Sequence, residues 1–357
     1  MNKSLLALAV LGAFASAASA QSSVTLSGSL DAGVIRKGAG TNAAPTTDWS
    51  LGGSQSSYNN FSLSGREVLG GGMSAFFNMN HRFNIQNGTS STAGNTVFWR
   101  NIWVGLGGGF GDVRLGRILM PLQDMNGGFD AFNTGTVGST HVGGINATIR
   151  ANQAIYYRSP SMGGLSLHAA IAAADAQIPQ EVGAGIAAAR TPTALLNRER
   201  PVGFNLRYAA GPLNVGVAYD RNAAELKTTG IYGAYDFGKF RLMGQYEKGD
   251  NCTSATGACG VNGVRARNGV VTTNGKDDVD VMSIGLTAPF GPVLLRTGYV
   301  RVNSDLANGD GSKFGFGGDY SLSKRTNLYA TVGKSSGNRF SVPAKKAAFD
   351  LGVTHRF

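Results

Sequence analysis

Long apolar runs are missing: nowhere do ~18 consecutive apolar residues occur, so no helical membrane span is encoded. Histidine is rare. His81, His141, His168 and His355 lie far apart with no i, i+4 pair, which leaves no zinc motif and no histidine-based catalytic group. The two cysteines, Cys252 and Cys259, sit in a Gly/Ser/Thr/Asn-rich stretch without a histidine, too few ligands for a metal. In an exported protein, a disulfide closing that small loop is the expectation. Clusters of Lys and Arg interleaved with aromatics are also absent, so the net charge of +11 does not read as a nucleic-acid surface. Gly333-Lys334-Ser335-Ser336-Gly337 contains a G-x-S-x-G string, but a strand runs into a long loop there, with no turn into a helix. The glycine-rich run 105–111 closes a hairpin and opens no helix, so it is no dinucleotide loop. No enzyme, cofactor or metal is expected.

What the chain does contain begins with an export signal. Lys3, the apolar stretch Leu5 to Phe14 and Ala18-Ser19-Ala20 read as a signal peptide over 1–20, leaving one domain over 21–357. From there the period is two. Phe349, Leu351, Val353, His355 and Phe357 share one face, and Asp350, Gly352, Thr354 and Arg356 the other. Val24, Leu26, Leu30, Ala32 and Val34 likewise oppose Thr25, Ser27, Ser29 and Asp31. Alternation of this kind is a strand with one oily and one wet face.

Sixteen such segments can be drawn, near 24–34, 57–68, 74–85, 98–106, 111–118, 152–159, 165–173, 201–209, 213–221, 229–237, 240–249, 279–289, 293–303, 313–321, 327–335 and 346–357. Connections alternate between tight turns, such as Leu69 to Gly72, Ala210-Gly211-Pro212 and Phe290-Gly291-Pro292, and long loops. Short turns at one end and long loops at the other mark a transmembrane antiparallel β-barrel of the outer membrane. An inward apolar face is excluded by size, because side chains cannot fill a barrel of sixteen strands. Outward, in lipid, that face is stable because closure leaves no unpaired edge. Tyr208, Tyr219, Tyr235, Phe237, Phe240, Phe290, Tyr320 and Phe357 fall near segment ends, as an interfacial aromatic girdle would.

The stretch Val202 to Leu213, together with Val24 to Val34, Glu67 to Gly72 and the ending Gly-Val-Thr-His-Arg-Phe, resembles the beta-proteobacterial general porins of Gram-negative bacteria. Gly116-Arg117, Met120-Pro121-Leu122 and Asp130-Ala131-Phe132 resemble that family's entry into its constriction loop. The resemblance implies a homotrimer in the outer-membrane lipid. Its pore is narrowed by an inward-folded third loop and passes ions and small metabolites, commonly with a preference for anions. It also implies that Phe357 is the terminal aromatic read by the barrel assembly machinery. The match departs at Asn60 and Ser64, where porins of this group often carry basic residues.

The loop 119–151 has no element pattern of its own, and a loop that long is usually functional. Folded inward it narrows the lumen; left outside it is a surface loop. Its acids, Asp124 and Asp130, are expected to face basic wall residues across the aperture. Parity turns Arg66, Arg82, Arg114, Arg207 and Arg296 inward, and Arg117 stands where its strand meets the loop. Besides a passive diffusion channel, two rival functions stand: a channel specific for one anion, and a barrel serving as adhesin or scaffold.

Overall fold

The computed structural model describes residues 23–36, 49–53, 56–90, 100–133, 135–141, 149–173, 200–222, 226–253, 275–305, 310–337 and 347–357. The expected signal peptide at 1–20 and Cys259 lie outside the described residues. Cys252 belongs to a strand whose side chains are not described at that end, so the expected disulfide stays untested.

Alternating side chains make nearly everything described a strand. In chain order these are β1 (Ser23–Arg36), β2 (Trp49–Gly53), β3 (Asn60–Gly70), β4 (Met73–Arg82), β5 (Asn101–Gly108) and β6 (Gly111–Leu119). Then come β7 (Arg150–Arg158), β8 (Leu165–Ala172), β9 (Val202–Ala210), β10 (Leu213–Arg221), β11 (Lys227–Asp236) and β12 (Arg241–Thr253). The chain closes with β13 (Gly275–Phe290), β14 (Val293–Ser304), β15 (Gly311–Ser321), β16 (Thr326–Gly337) and β17 (Ala348–Arg356). From β3 onward each strand pairs antiparallel with the next. β17 returns to β1 in a register running from Ser29 opposite Arg356 to Arg36 opposite Phe349.

β2 and β3 both lie along β1, the first against Ala32 to Arg36 and the second against Ser23 to Ser29. They are two halves of one stave, so the closed barrel has sixteen staves. The expected segment 57–68 therefore captured only the lower half. The break has a cause: between the halves the chain turns inward onto Asp31, whose Oδ2 accepts the amide hydrogens of Ser56 at 2.9 Å and Ser57 at 2.8 Å. Tyr329 and Thr354 donate hydroxyl hydrogens to the same carboxylate, at 3.0 and 2.8 Å. The seam of the barrel is thus sealed from inside by a buried acid with four donors.

Burial is inverted relative to a water-soluble protein. Val34, Leu51, Ile231, Phe290 and Leu351 are exposed, while Asp31, Asn205, Glu247 and Thr354 are buried. An apolar exterior this extensive needs a hydrocarbon solvent. Among the described residues one helix is found, inside the third long loop, α1 (Pro121–Gly128). The expectation of a loop without any element was wrong here. Pro121 opens the helix where a missing N–H costs nothing, Asp124 sits in its first turn, and it ends at Gly128.

Candidate pore constriction and vestibule

The third loop lies across the lumen. Leu122, Met125, Phe129 and Phe132 form one face, which packs on Ala218, Tyr232, Ala234 and Met243 of the inner wall. Each such burial contributes ~2 kcal/mol toward docking the loop. Polar contacts fix the register. Asn205 of β9 donates to the Pro121 carbonyl at 2.8 Å, and Asn126 donates to the buried Glu247 of β12, which also accepts the Tyr232 hydroxyl at 2.7 Å.

Farther along, Arg296 of β14 donates through Nη1 to the Ala131 carbonyl, while its Nε donates to Asp319 at 2.8 Å. The tip then reaches β16 and β17. The Val137 amide donates to Asp350 at 2.7 Å, and the Gly138 amide to Thr331 at 3.2 Å. The loop backbone comes so close that a Cβ on Gly315 would stand 1.8 Å from the Gly138 oxygen, and one on Gly333 2.0 Å from the Val137 oxygen. With the loop in place those two positions leave no room for a side chain, the usual meaning of a glycine inside a strand that another backbone crosses.

Beneath the loop, on the side of the short turns, a cavity of about 840 Å³ opens. Arg66, Arg114, Arg158 and Arg207 line it together with one carboxylate, Asp112. Asp112 accepts from Nε of both Arg114 (2.7 Å) and Arg158 (2.8 Å). Arg66 donates to the Ser74 hydroxyl at 2.8 Å, and Arg207 through Nε to Asn214 at 2.8 Å. Aromatic rings back two of these groups: the Arg114 guanidinium lies 4.8 Å from the Trp103 ring and 5.3 Å from the Tyr156 ring, and Arg66 lies 5.6 Å from Phe76. From above, half-exposed Asp124 approaches His168, 3.8 Å from its Nδ1.

The structure sorts the predicted residues into four groups. Arg66, Arg114 and Arg207 face the vestibule, and Asp124 overhangs it. Arg82 keeps its inward parity but is buried, its guanidinium 3.0 Å from the centre of the Tyr58 ring. Asp130 and Arg296 are anchors of the loop. Asp130 is buried and accepts from Ser139 at 2.8 Å and from the Thr140 hydroxyl at 2.9 Å, contacts within the loop itself. Arg117 is on the outer face: it stands opposite Ile102 with the parity of Leu115, and its Nη1 donates to Asn152 at 2.7 Å. Its odd position already excluded it from the lumen.

Asp112, Arg158 and His168 were not anticipated. All three share the parity of inward neighbours (Arg114, Tyr156 and Ser166), so alternation applied to those strands finds them.

A closed barrel with an apolar exterior, a polar lumen and a loop folded across it is a channel of the Gram-negative outer membrane. The family described as Gram-negative porin matches residues 7–339. An outer membrane porin protein of Bordetella pertussis is 31% identical over a 402-residue alignment that covers 100% of both chains. Outer membrane porin protein 32 of Delftia acidovorans is 29% identical over 93% of this chain and 89% of its own. This chain belongs to the Gram-negative porin family. Among solved structures it is similar to an anion-selective porin from Comamonas acidovorans, with a TM-score of 0.74 and 23% identity over 94% of this chain and 100% of that one. The trimer form of an outer membrane protein of Vibrio cholerae gives a TM-score of 0.62 at 14% identity, over 94% and 99%.

Proposed function

We propose that this porin is a homotrimeric, anion-preferring channel through which small hydrophilic solutes diffuse passively. The observation that carries the preference is the vestibule, lined by four guanidinium groups and one carboxylate, Asp112, with Asp124 overhanging it from the loop. An anion ~4 Å from one arginine gains about 1 kcal/mol in bulk-like water and ~4 kcal/mol at an effective dielectric of 20, enough to bias flux without trapping a monovalent ion. The likenesses to an anion-selective porin and to a trimeric one support the same reading.

A planar bilayer held across a potassium chloride gradient tests it. The zero-current potential carries the sign of chloride permeation if the reading is right, and the sign of potassium permeation if it is wrong. Phe357 is the terminal aromatic recognised by the assembly machinery in this account. It also helps close the barrel: its backbone exchanges hydrogen bonds with Gly28 at 3.0 and 3.1 Å.

A further inference from the structure

We propose that the outward rim of β14, β15 and β16, at the long-loop end, is a docking site for the phosphorylated headgroup of an outer-leaflet glycolipid. The site needs only the outer-membrane placement of the barrel and uses no residue of the lumen.

Strand geometry sets the height of this rim. On β13 the outward parity carries Met282, Ile284, Leu286 and Phe290, the last beside a short turn. The climb from Phe290 to Met282 is about 20 Å along the membrane normal at ~3.3 Å per residue and ~40° of tilt, close to the top of an apolar band ~25 Å tall. Above that row the wall reverses. Lys248, Asp278, Asp280 and Asn303 take the outward parity, whereas Val279, Val281, Val300 and Val302 face inward and are buried. An outward face that changes from apolar to charged at this level has left hydrocarbon for headgroups.

At that boundary Arg301, Ser312, Ser336 and Lys334 gather on one face. Arg301 of β14 stands opposite Ser312 of β15, and Ser312 opposite Ser336 of β16. The two serine hydroxyls are 2.7 Å apart. One row lower, Tyr299, Phe314 and Lys334 are ladder neighbours. The Asn303 side chain holds Arg301 through Nε at 2.8 Å, and the Nη groups have no protein partner among the described residues. Among the same residues no acid pairs with Lys334. Ladder spacing puts the Arg301 and Lys334 backbones about 12 Å apart, a gap that two long side chains close around one phosphate.

Chemistry selects the occupant. Two cations and two hydroxyls, with no carboxylate among them, are donors suited to a phosphate monoester. Exposed Phe314 and Phe316 below form a shelf for acyl chains, and Asp280 and Asn303 above offer partners for sugar hydroxyls. Acyl chains below a phosphorylated sugar are the layout of lipid A. A glycerophospholipid such as phosphatidylglycerol has no sugar to fill the upper part.

The test is binding of lipid A to the purified full-length protein in detergent, read by native mass spectrometry, with dephosphorylated lipid A and phosphatidylglycerol as comparators. Lipid A should bind at least about tenfold more tightly than either, the difference that one charge-assisted hydrogen bond supplies. Arg301→Gln and Lys334→Gln should each weaken binding about tenfold by the same arithmetic, two variants serving in case one does not assemble. Heat-modifiable migration certifies a folded barrel in each. Lys227→Gln, at an exposed position three staves away on β11, should leave binding intact.

Equal loss in Lys227→Gln would reduce the contact to diffuse surface charge and overturn the site. So would wild-type affinity in a folded Arg301→Gln or Lys334→Gln protein. Equal binding of dephosphorylated lipid A would overturn the phosphate contact, and equal binding of phosphatidylglycerol would overturn the glycolipid as occupant.

Discussion

The Val137 amide hydrogen-bonds the Asp350 carboxylate at 2.7 Å, joining the tip of the third loop to the last strand of the barrel across 213 residues of sequence. That bond, with Thr331 beside it, is where the loop meets the far wall.

Asp350→Ala removes the acceptor and leaves the Val137 N–H without its partner. Open-channel noise should rise, with subconductance steps, while the closed barrel persists through the backbone pairing of β17 with β1 and β16. Asp350→Asn, which keeps one acceptor oxygen, should lie between. Steps as quiet as wild type in Asp350→Ala would show that the tip is held elsewhere.

Gly333→Val and Gly315→Val place a side chain where the loop backbone runs. The ladders of β15 with β14 and β16 tolerate valine, so heat-modifiable migration in gels should still report a folded barrel. The displaced tip should enter the lumen and lower single-channel conductance. Unchanged conductance in a folded variant would contradict the close approach.

The triple change Arg114→Gln, Arg158→Gln and Arg207→Gln should move the zero-current potential toward the cation side. The shift should be largest in dilute salt, because screening lengths fall from ~30 Å at 0.01 M to ~3 Å at 1 M. Arg82→Gln should move it far less, its charge being buried against Tyr58. A larger shift from Arg82 than from the triple would relocate the selective region to the long-loop side.

Phe357→Ala separates two roles. As an assembly signal, the residue should be needed in cells but not for refolding of purified chain in detergent. Assembly in cells at wild-type levels would remove the recognition role. Its ring lies against Gly28, where a Cβ would stand 2.6 Å from Cζ, so a modest loss of refolded yield is expected as well.

Much of this architecture was legible because it is periodic. Leu351 and Asp350 alternate, Val34 and Asp31 sit on opposite parities, and the same rule repeated around the barrel fixes which face meets lipid. Strand ends such as Leu213–Arg221 follow directly from turn residues. The break between β2 and β3 did not show, because it depends on Asp31 capturing Ser56 and Ser57, a contact with no local pattern.

The pore was partly legible for the same reason. Parity found Arg66, Arg114 and Arg207. It could not reveal that Asp319 and the Ala131 carbonyl engage Arg296, or that Tyr58 covers Arg82, since both depend on neighbours distant in sequence. Gly333 was visible only as part of a chance motif. Its meaning emerges once the loop lies on top of it.

Single-channel conductance under ion substitution tests the central claim most directly. In the purified protein, replacing chloride by a bulkier anion such as gluconate should cut the current severalfold, while replacing potassium by lithium should change it little. A current that follows the cation and ignores the anion, or no stepwise current at all, would contradict the account.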